Sequence, residues 1–152
     1  GSSNKAVSFN FNGWGNKQAY DKDALVAAKV ASEAGVTLET SSLVLEGGGI
    51  EVDGQGTAII TESCVLNDNR NPNVTKAEAE TELMARLGLT KIIWLPGIAG
   101  RDITDGHTDF YARFAGVGTV LAHYEPDSTQ YDHSVTLTHL DILRNSTDAQ
   151  GN

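Results

Sequence analysis

The stretch that decides the fold is IEVDGQGTAIIT, residues 50–61. Its two ends, Ile50–Val52 and Thr57–Thr61, are short and rich in β-branched residues, which favour strands. The DGQG segment at residues 53–56 joins them, and Asp and Gly suit a tight turn. The stretch therefore predicts a hairpin of two short strands.

A helix and a third strand are predicted after this hairpin. Thr75 and Glu78 have the spacing of a capping box, which marks the beginning of a helix that runs to Leu87. Gly88 is placed to end that helix, because glycine adopts the left-handed conformation of a C-cap. The apolar run Lys91–Leu95 then predicts a buried strand, so the succession is that of a ββαβ-like unit.

The rest of the chain continues this alternation of short strands and single helices. The predicted elements are a strand at Ala6–Phe11 broken at residues 12–16, a helix at Lys22–Ala34 with Asp21 as N-cap and Gly35 as C-cap, a strand at Leu43–Leu45, a hairpin of Phe110–Phe114 with Thr119–Ala122, and a helix at Tyr131–Arg144. This order favours the α/β class built of repeated small units, without a long parallel sheet.

Charge and hydropathy exclude several classes of partner. Eleven Lys and Arg residues against twenty Asp and Glu residues leave a net charge of −9. This balance argues against nucleic acid, whose binding needs clustered basic residues, and is compatible with steering small cations into an acidic cleft. No apolar run approaches the roughly 18 residues of a membrane span, and the polar Gly1–Asn4 is not a signal peptide.

Cysteine and histidine usage point to neither a disulfide nor a metal or cofactor site. Cys64 is the only cysteine, so no internal disulfide can form, and a reducing location, the cytoplasm, is expected. Cys64 has no basic neighbour to lower its pKa, so a buried thiol is favoured over a nucleophile. His123, His133 and His139 show no metal-ligand spacing with one another.

Three polar positions could carry chemistry. His107 and Asp109 stand two residues apart, and on an extended segment both side chains would point to one face and could converge on a ligand. The alternative is a solvated loop histidine beside a turn aspartate. Glu46 ends an apolar strand and precedes three glycines that permit close backbone approach, although local sequence alone favours an ordinary strand-end glutamate. Arg70 is expected to tie carboxylates together within its polar loop.

Five stretches in sequence resemble the agmatine deiminases, of the bacterial-type peptidylarginine deiminase family. The resemblance covers roughly residues 7–148, and the motifs are FNFNGWG at residues 9–15, LEGGGIEVDG at 45–54, LNDNRNP at 66–72, IWLP at 93–96 and TDGHTD at 104–109. It implies a pentein-type α/β propeller, which in this family consists of five ββαβ units. Residues 1–152 would be a single partial deiminase domain with two to three of those units.

The resemblance also implies roles for individual residues. His107 matches the family's general acid/base, and Glu46 matches the acid that orients that histidine. Asp109 matches a carboxylate that grips the substrate guanidinium, and Trp14 lies in a segment near the substrate. The implied substrate is a small guanidine cation, agmatine, which is hydrolysed to N-carbamoylputrescine and ammonia without a cofactor. No catalytic role is implied for Arg70.

Two family motifs are missing from the chain. A Trp-x-Arg-Asp-x-Gly-Pro segment with a second gripping aspartate and a His-Cys segment with the nucleophile do not occur, and Cys64 matches an interior position instead. The chain is therefore expected to act only within a longer protein. The alternatives are a non-catalytic domain that retains a cation-binding or assembly surface, and a deiminase of arginine or peptidylarginine. Exposed edges of a partial propeller would favour self-association into a homo-oligomer.

Overall fold

The computed structural model describes residues 4–152, so residues 1–3 of the polar N-terminal stretch lie outside it. The strands are Lys5–Asn10 (β1), Thr37–Val44 (β2), Ile50–Val52 (β3), Thr57–Thr61 (β4), Lys91–Leu95 (β5), Ala112–Gly116 (β6) and Thr119–Ala122 (β7). The α-helical segments are Gly13–Asn16 (α1), Val26–Ala34 (α2), Glu62–Val65 (α3), Lys76–Leu87 (α4) and His133–Arg144 (α5). Short 3-10 turns occupy Asp23–Leu25, Gly47–Gly49 and Thr108–Phe110.

The strands form three small sheets. β1 pairs in parallel with β2, and β6 pairs with β7 as an antiparallel hairpin. In the middle sheet, β4 lies between an antiparallel β3 and a parallel β5. The predicted hairpin at residues 50–61 and the predicted ββαβ-like succession are both confirmed, and the structure adds that β5 returns parallel to β4. The α/β class is therefore confirmed, and β3, β4, α4 and β5 form one ββαβ unit.

Strand β4 is buried along its whole length because both faces of the middle sheet are covered. Ala58 and Ile60 point into a cluster that includes Leu83 of α4. Ile59, from the opposite face of the strand, packs against Ala112 of β6 in a second cluster. The alternation of side chains along a strand places successive residues in the two cores. This burial keeps the end of β4 fixed, next to the cleft described below.

Helix α4 has the ends that its sequence predicts. Thr75 accepts a hydrogen bond from the Glu78 backbone N–H, while the Glu78 carboxylate accepts one from the Thr75 N–H, so the capping box is complete. Gly88 adopts the left-handed conformation, φ 66°, at the C-cap. Gly35 ends α2 in the same way, with φ 65°.

Several predicted element boundaries are wrong. Asp21 does not cap α2, because the chain enters through a 3-10 turn in which the Ala24 and Leu25 N–H groups bond to backbone carbonyl groups of Tyr20 and Lys22. β2 begins at Thr37 instead of Leu43, since its polar first half pairs with β1 at a sheet edge. The predictions for the β6–β7 hairpin and for α5 differ from the structure by two residues. Among residues 4–152, no helix has the length and apolar character that a membrane crossing requires.

Candidate functional site

A cleft of about 650 Å³ lies where the ends of β1 and β2 meet the loop after β5. Its lining among the described residues includes the aromatic side chains of Phe11 and Trp14 and the carboxylates of Asp23, Glu46 and Asp109. His107 also lines it, whereas no Lys or Arg of the described chain does. An acidic and partly aromatic cleft of this kind suits an organic cation.

Glu46 and His107 form a buried pair at the base of the cleft. Glu46 is 8% exposed and His107 is 6% exposed, so His107 is not the solvated loop residue that the sequence also allowed. The His107 Nε2 lies 2.8 Å from Glu46 Oε2. The two residues are 61 positions apart, and the loop after β2 and the loop after β5 bring them together.

Arg70 is the second partner of Glu46. Its Nε lies 2.9 Å from Oε1 and 3.1 Å from Oε2 of the carboxylate. Burial raises the pKa of Glu46, but the hydrogen bonds and charges of His107 and Arg70 outweigh it and hold that pKa below its ordinary value. Glu46 is therefore ionised at neutral pH. Arg70 joins carboxylates, as predicted, but these are Glu46 and Asp105, which lie outside the polar loop in which its partners were expected.

The charge of Glu46 decides which nitrogen of neutral His107 carries the proton. An ionised carboxylate can only accept hydrogen bonds, so Nε2 must donate to Glu46. Nδ1 then carries the lone pair and lies 4.0 Å from Asp109 Oδ1. The ring is thus held by one nitrogen while the other can exchange a proton on the Asp109 side of the cleft.

Residues 107–109 do not form the extended segment on which His107 and Asp109 would share one face. Only His107 is extended, and Thr108–Phe110 form a 3-10 turn closed by a hydrogen bond from the Phe110 N–H to the His107 carbonyl group. Thr108 is fully buried because its hydroxyl donates to the Gly49 carbonyl group and accepts from the Thr61 N–H. These two hydrogen bonds fix Thr108 and the turn of the chain. The turn places the half-exposed Asp109 side chain at the rim of the cleft beside His107.

The three glycines after Glu46 allow the site to close. A Cβ on Gly48 would overlap His107 Nδ1 and lie 2.7 Å from Asp109 Oδ2, whereas a Cβ on Gly47 would meet nothing within 4 Å. Gly48 therefore has no side chain because the imidazole and the carboxylate occupy that space. The close backbone approach predicted for this segment is confirmed at Gly48.

Trp14 forms part of the cleft wall from a strained turn. It has φ 57° and ψ 52°, a left-handed conformation that is unusual for a bulky residue. Its ring packs edge-on against Phe11, with centroids 5.0 Å apart. Asn12 holds the turn, because its side chain accepts from the Gly15 N–H and donates to the Asn69 carbonyl group.

Cys64 lies behind the site as an inert thiol. Burial raises its pKa to about 12, and its Sγ lies 3.6 Å from Glu46 Oε2. The donor atoms of Glu46, Cys64 and His107 all lie within 4.8 Å of one another, the spacing of a metal site. Arg70 contacts both oxygens of that carboxylate, so a bound cation would meet its positive charge at close range.

Sequence reasoning missed two carboxylates of this region. Asp105 was noted only as part of the TDGH motif, yet it is buried and pairs with Arg70 at 2.8 Å. Two features of the sequence could have indicated a role for Asp105: the glycine that follows it and the polar, non-helical sequence around it. Asp23 lines the cleft from the turn before α2, and nothing in its local sequence marked it.

Comparison with protein families identifies relatives of this chain. Residues 2–152 match the model of the Porphyromonas-type peptidyl-arginine deiminases. A protein of Streptomyces avermitilis named "Putative agmatine deiminase" is 44% identical over 154 residues, which cover 96% of this chain and 44% of the relative. A protein of Shewanella frigidimarina with the same name is 40% identical over 152 residues, covering 97% of this chain and 41% of the relative.

Solved structures of relatives share the fold of this chain. The agmatine deiminase of Enterococcus faecalis superposes with a TM-score of 0.91 at 34% identity, over 97% of this chain and 42% of that one. The agmatine deiminase of C. jejuni with substrate bound superposes with a TM-score of 0.84 at 33% identity, over 95% and 44% of the two chains. The chain thus spans less than half the length of these relatives. It belongs to the Porphyromonas-type peptidyl-arginine deiminase family, which includes the agmatine deiminases.

Proposed function

We propose that this chain supplies the proton-transfer half of an agmatine deiminase site. The observation that carries the proposal is the buried Glu46–His107 pair, 2.8 Å apart, beside Asp109 on an acidic and aromatic cleft. In this proposal Asp109 binds the N–H groups of the guanidinium, and Trp14 packs along the ligand. Glu46 holds His107 in the orientation that presents Nδ1 to the reacting carbon.

The reaction proceeds through a covalent intermediate. A cysteine thiolate attacks the central guanidinium carbon, and protonated His107 gives its Nδ1 proton to the departing ammonia. Neutral His107 then takes a proton from water as that water attacks the intermediate, which releases N-carbamoylputrescine and the thiolate. Cys64 does not fit the nucleophile's role, because it is buried and its pKa is raised to about 12. The nucleophile in this proposal comes from protein outside these 152 residues.

The composition of the cleft favours agmatine over arginine. Agmatine carries two positive charges and no carboxylate, whereas arginine carries an α-carboxylate that needs a cationic partner. The described lining contains three carboxylates and no Lys or Arg. A carboxylate ligand would therefore meet repulsion without compensation.

The proposal includes the architecture of the whole protein. The complete unit β3–β4–α4–β5 is preceded by β1, α2 and β2 and followed by β6, β7 and α5. We count these as parts of three propeller units, so that the single domain of residues 1–152 holds two to three units of five. The apolar groove between β7 and α5, lined by Val120 and Leu140, suits the rest of the propeller or a second copy. A cytoplasmic location, where Cys64 stays reduced, belongs to the same proposal.

Turnover measurements test the catalytic assignment. The isolated 152-residue chain is expected to release no ammonia from agmatine, and release that survives Cys64→Ala would contradict an external nucleophile. In the longer protein, His107→Ala is expected to abolish turnover, because no other imidazole among the described residues lines the cleft. Asp109→Ala is expected to weaken both binding and turnover. Near-normal kinetics in either variant would refute the assignment.

An intact mass of the native polypeptide separates this function from a second candidate. A stand-alone, non-catalytic cation-binding domain is favoured by one observation, the inert environment of Cys64. A native mass equal to that of the 152 residues, with agmatine bound and not hydrolysed, would establish the second candidate. A larger mass with ammonia release would establish the deiminase.

A further inference from the structure

Arg70 does not line the cleft, but its guanidinium lies directly behind Glu46 and donates hydrogen bonds from all three of its nitrogens. The side chain is 0% exposed. Besides Glu46, its Nη1 donates to Asp105 Oδ2 at 2.8 Å and to Asn69 Oδ1 at 3.0 Å, and its Nη2 donates to the Thr104 carbonyl group at 2.8 Å. Each nitrogen of the guanidinium therefore has a partner, which fixes the plane of the group.

The partners of Arg70 hold His107 from two directions. Glu46 contacts the ring directly at Nε2. Thr104 and Asp105 lie three and two residues before His107 in the same loop, so they help to set the position of its backbone. One buried guanidinium thus links the side-chain partner of the histidine to the loop that carries it, and this link crosses 24 and 35 residues of sequence.

Asp105 extends the same network to the opposite wall of the cleft. Its Oδ2 also accepts from Lys17 Nζ at 2.7 Å, and Lys17 follows the turn that carries Trp14. Burial raises the pKa of Asp105, but Lys17, Asn69 and Arg70 hold it far below its ordinary value. The residue also adopts φ 62°, a left-handed conformation retained by these bonds and by one from the Gly100 N–H.

We propose that Arg70 is a positioning residue that fixes the Glu46–His107 pair and, through Asp105, the spacing between this pair and the Trp14 turn. What the cleft binds follows from the proposed function, but the positioning itself does not depend on it. Two positive groups, Arg70 and Lys17, balance two buried carboxylates, Glu46 and Asp105, so the network carries no excess charge into the interior.

Arg70→Lys is the informative substitution. A lysine keeps the positive charge, but its single ammonium group cannot make the planar, two-sided contacts that join Glu46 to Asp105. Arg70→Met would remove the buried positive charge that balances Glu46 and Asp105, which is destabilising even though His107 and Lys17 remain as their partners. Asp105→Asn is the second variant, because it keeps the size of the side chain and weakens the clamp at its other end. Arg113→Lys is the matched control, since Arg113 pairs with Glu51 at the surface at 2.7 Å.

The readout is the imidazole Nε2–H of His107, observed by NMR in the 152-residue chain labelled at histidine nitrogen. A proton held by a charged acceptor exchanges slowly with water. Exchange is expected to be at least about tenfold faster in Arg70→Lys and faster by a smaller factor in Asp105→Asn. In both variants the Glu46 carboxylate is held less firmly, which weakens its hydrogen bond from the His107 Nε2–H. The Arg113→Lys control is expected to retain the exchange rate of the unmodified chain. Assignment comes from loss of the signal in His107→Gln.

The outcomes separate positioning from a general stabilising role. Agmatine binding, measured calorimetrically, is expected to weaken about tenfold in Arg70→Lys in parallel with the faster exchange. Unchanged exchange in a cooperatively folded Arg70→Lys would overturn the proposal, and if that variant does not fold, unchanged exchange in Asp105→Asn would overturn it. Absence of agmatine binding by the unmodified chain would contradict the proposed function alone, because the imidazole signal needs no ligand.

Discussion

Replacing His139 with Gln is expected to make the chain less sensitive to mild acid. His139 lies on α5 with 1% exposure, and its Nε2 accepts a hydrogen bond from the Gly97 N–H at 3.0 Å. Burial, assisted by the positive charge of His123, lowers the pKa of His139 from 6.5 to about 4. A protonated ring could not accept that hydrogen bond, and its charge would be buried without a partner.

The sign and size of the effect follow from this lowered pKa. The unfolded chain binds the proton at its ordinary pKa, so between pH 6.5 and pH 4 the unfolded state holds more protons than the folded state. The stability that neutral His139 contributes is complete above pH 6.5 and is lost as the pH falls toward 4. Integration between pH 7 and pH 5 gives a loss of about 2 kcal/mol from this residue alone.

The assay is urea unfolding of the unmodified chain and of His139→Gln at pH 7 and pH 5. A glutamine oxygen can accept from the Gly97 N–H but does not titrate, so the variant is expected to lose about 2 kcal/mol less than the unmodified chain over this range. The lowered pKa values of Glu46 and Asp105 affect both proteins equally and cancel. His133→Gln, on the same helix, is the control. Equal losses in His139→Gln and the unmodified chain would refute the argument.

Two further predictions concern the cleft. Gly48→Ala is expected to reduce agmatine binding at least about tenfold, because its Cβ would displace the His107 ring. Gly47→Ala has open space around its Cβ and is expected to bind agmatine normally, so equal affinities of the two variants by calorimetry would contradict the packing argument. Asp23→Asn is expected to weaken binding of agmatine but not of butylguanidine, which lacks the distal amine. The neighbouring Asp21→Asn is expected to change the binding of neither ligand, and an equal effect of Asp23→Asn on both ligands would show that Asp23 does not recognise the amine.

Local structure was largely predictable because its causes are local. The capping box at Thr75, the glycine at Gly88 and the alternation around the 53–56 turn each determine backbone conformation within a few residues. Predictions failed where a neighbour distant in sequence decides. β2 begins early because β1 pairs with it, and the segment after His107 turns because Thr108 is pinned by Gly49.

The candidate site shows the same division. Residue types alone left His107 and Glu46 as weak candidates, and only the order and spacing of five motifs, read as a family resemblance, singled them out. Asp105 and Asp23 were assigned no role, because neither has a local pattern that distinguishes it from a turn aspartate. Arg70 was expected to join carboxylates, but the identity of its partners was beyond sequence reasoning.

The sequence by itself determined the α/β class, the central ββαβ unit and the family, and it singled out His107, Glu46, Asp109 and Trp14 as candidate site residues. These depend on short-range propensities and on the order of motifs, and both can be read directly from the order of the residues. Only the tertiary structure decided that Arg70 and Asp105 form one buried network with Glu46, and that the His107 ring occupies the space that a side chain on Gly48 would need. Burial and charge pairing depend on which distant segments pack together, and that packing is a property of the folded chain as a whole.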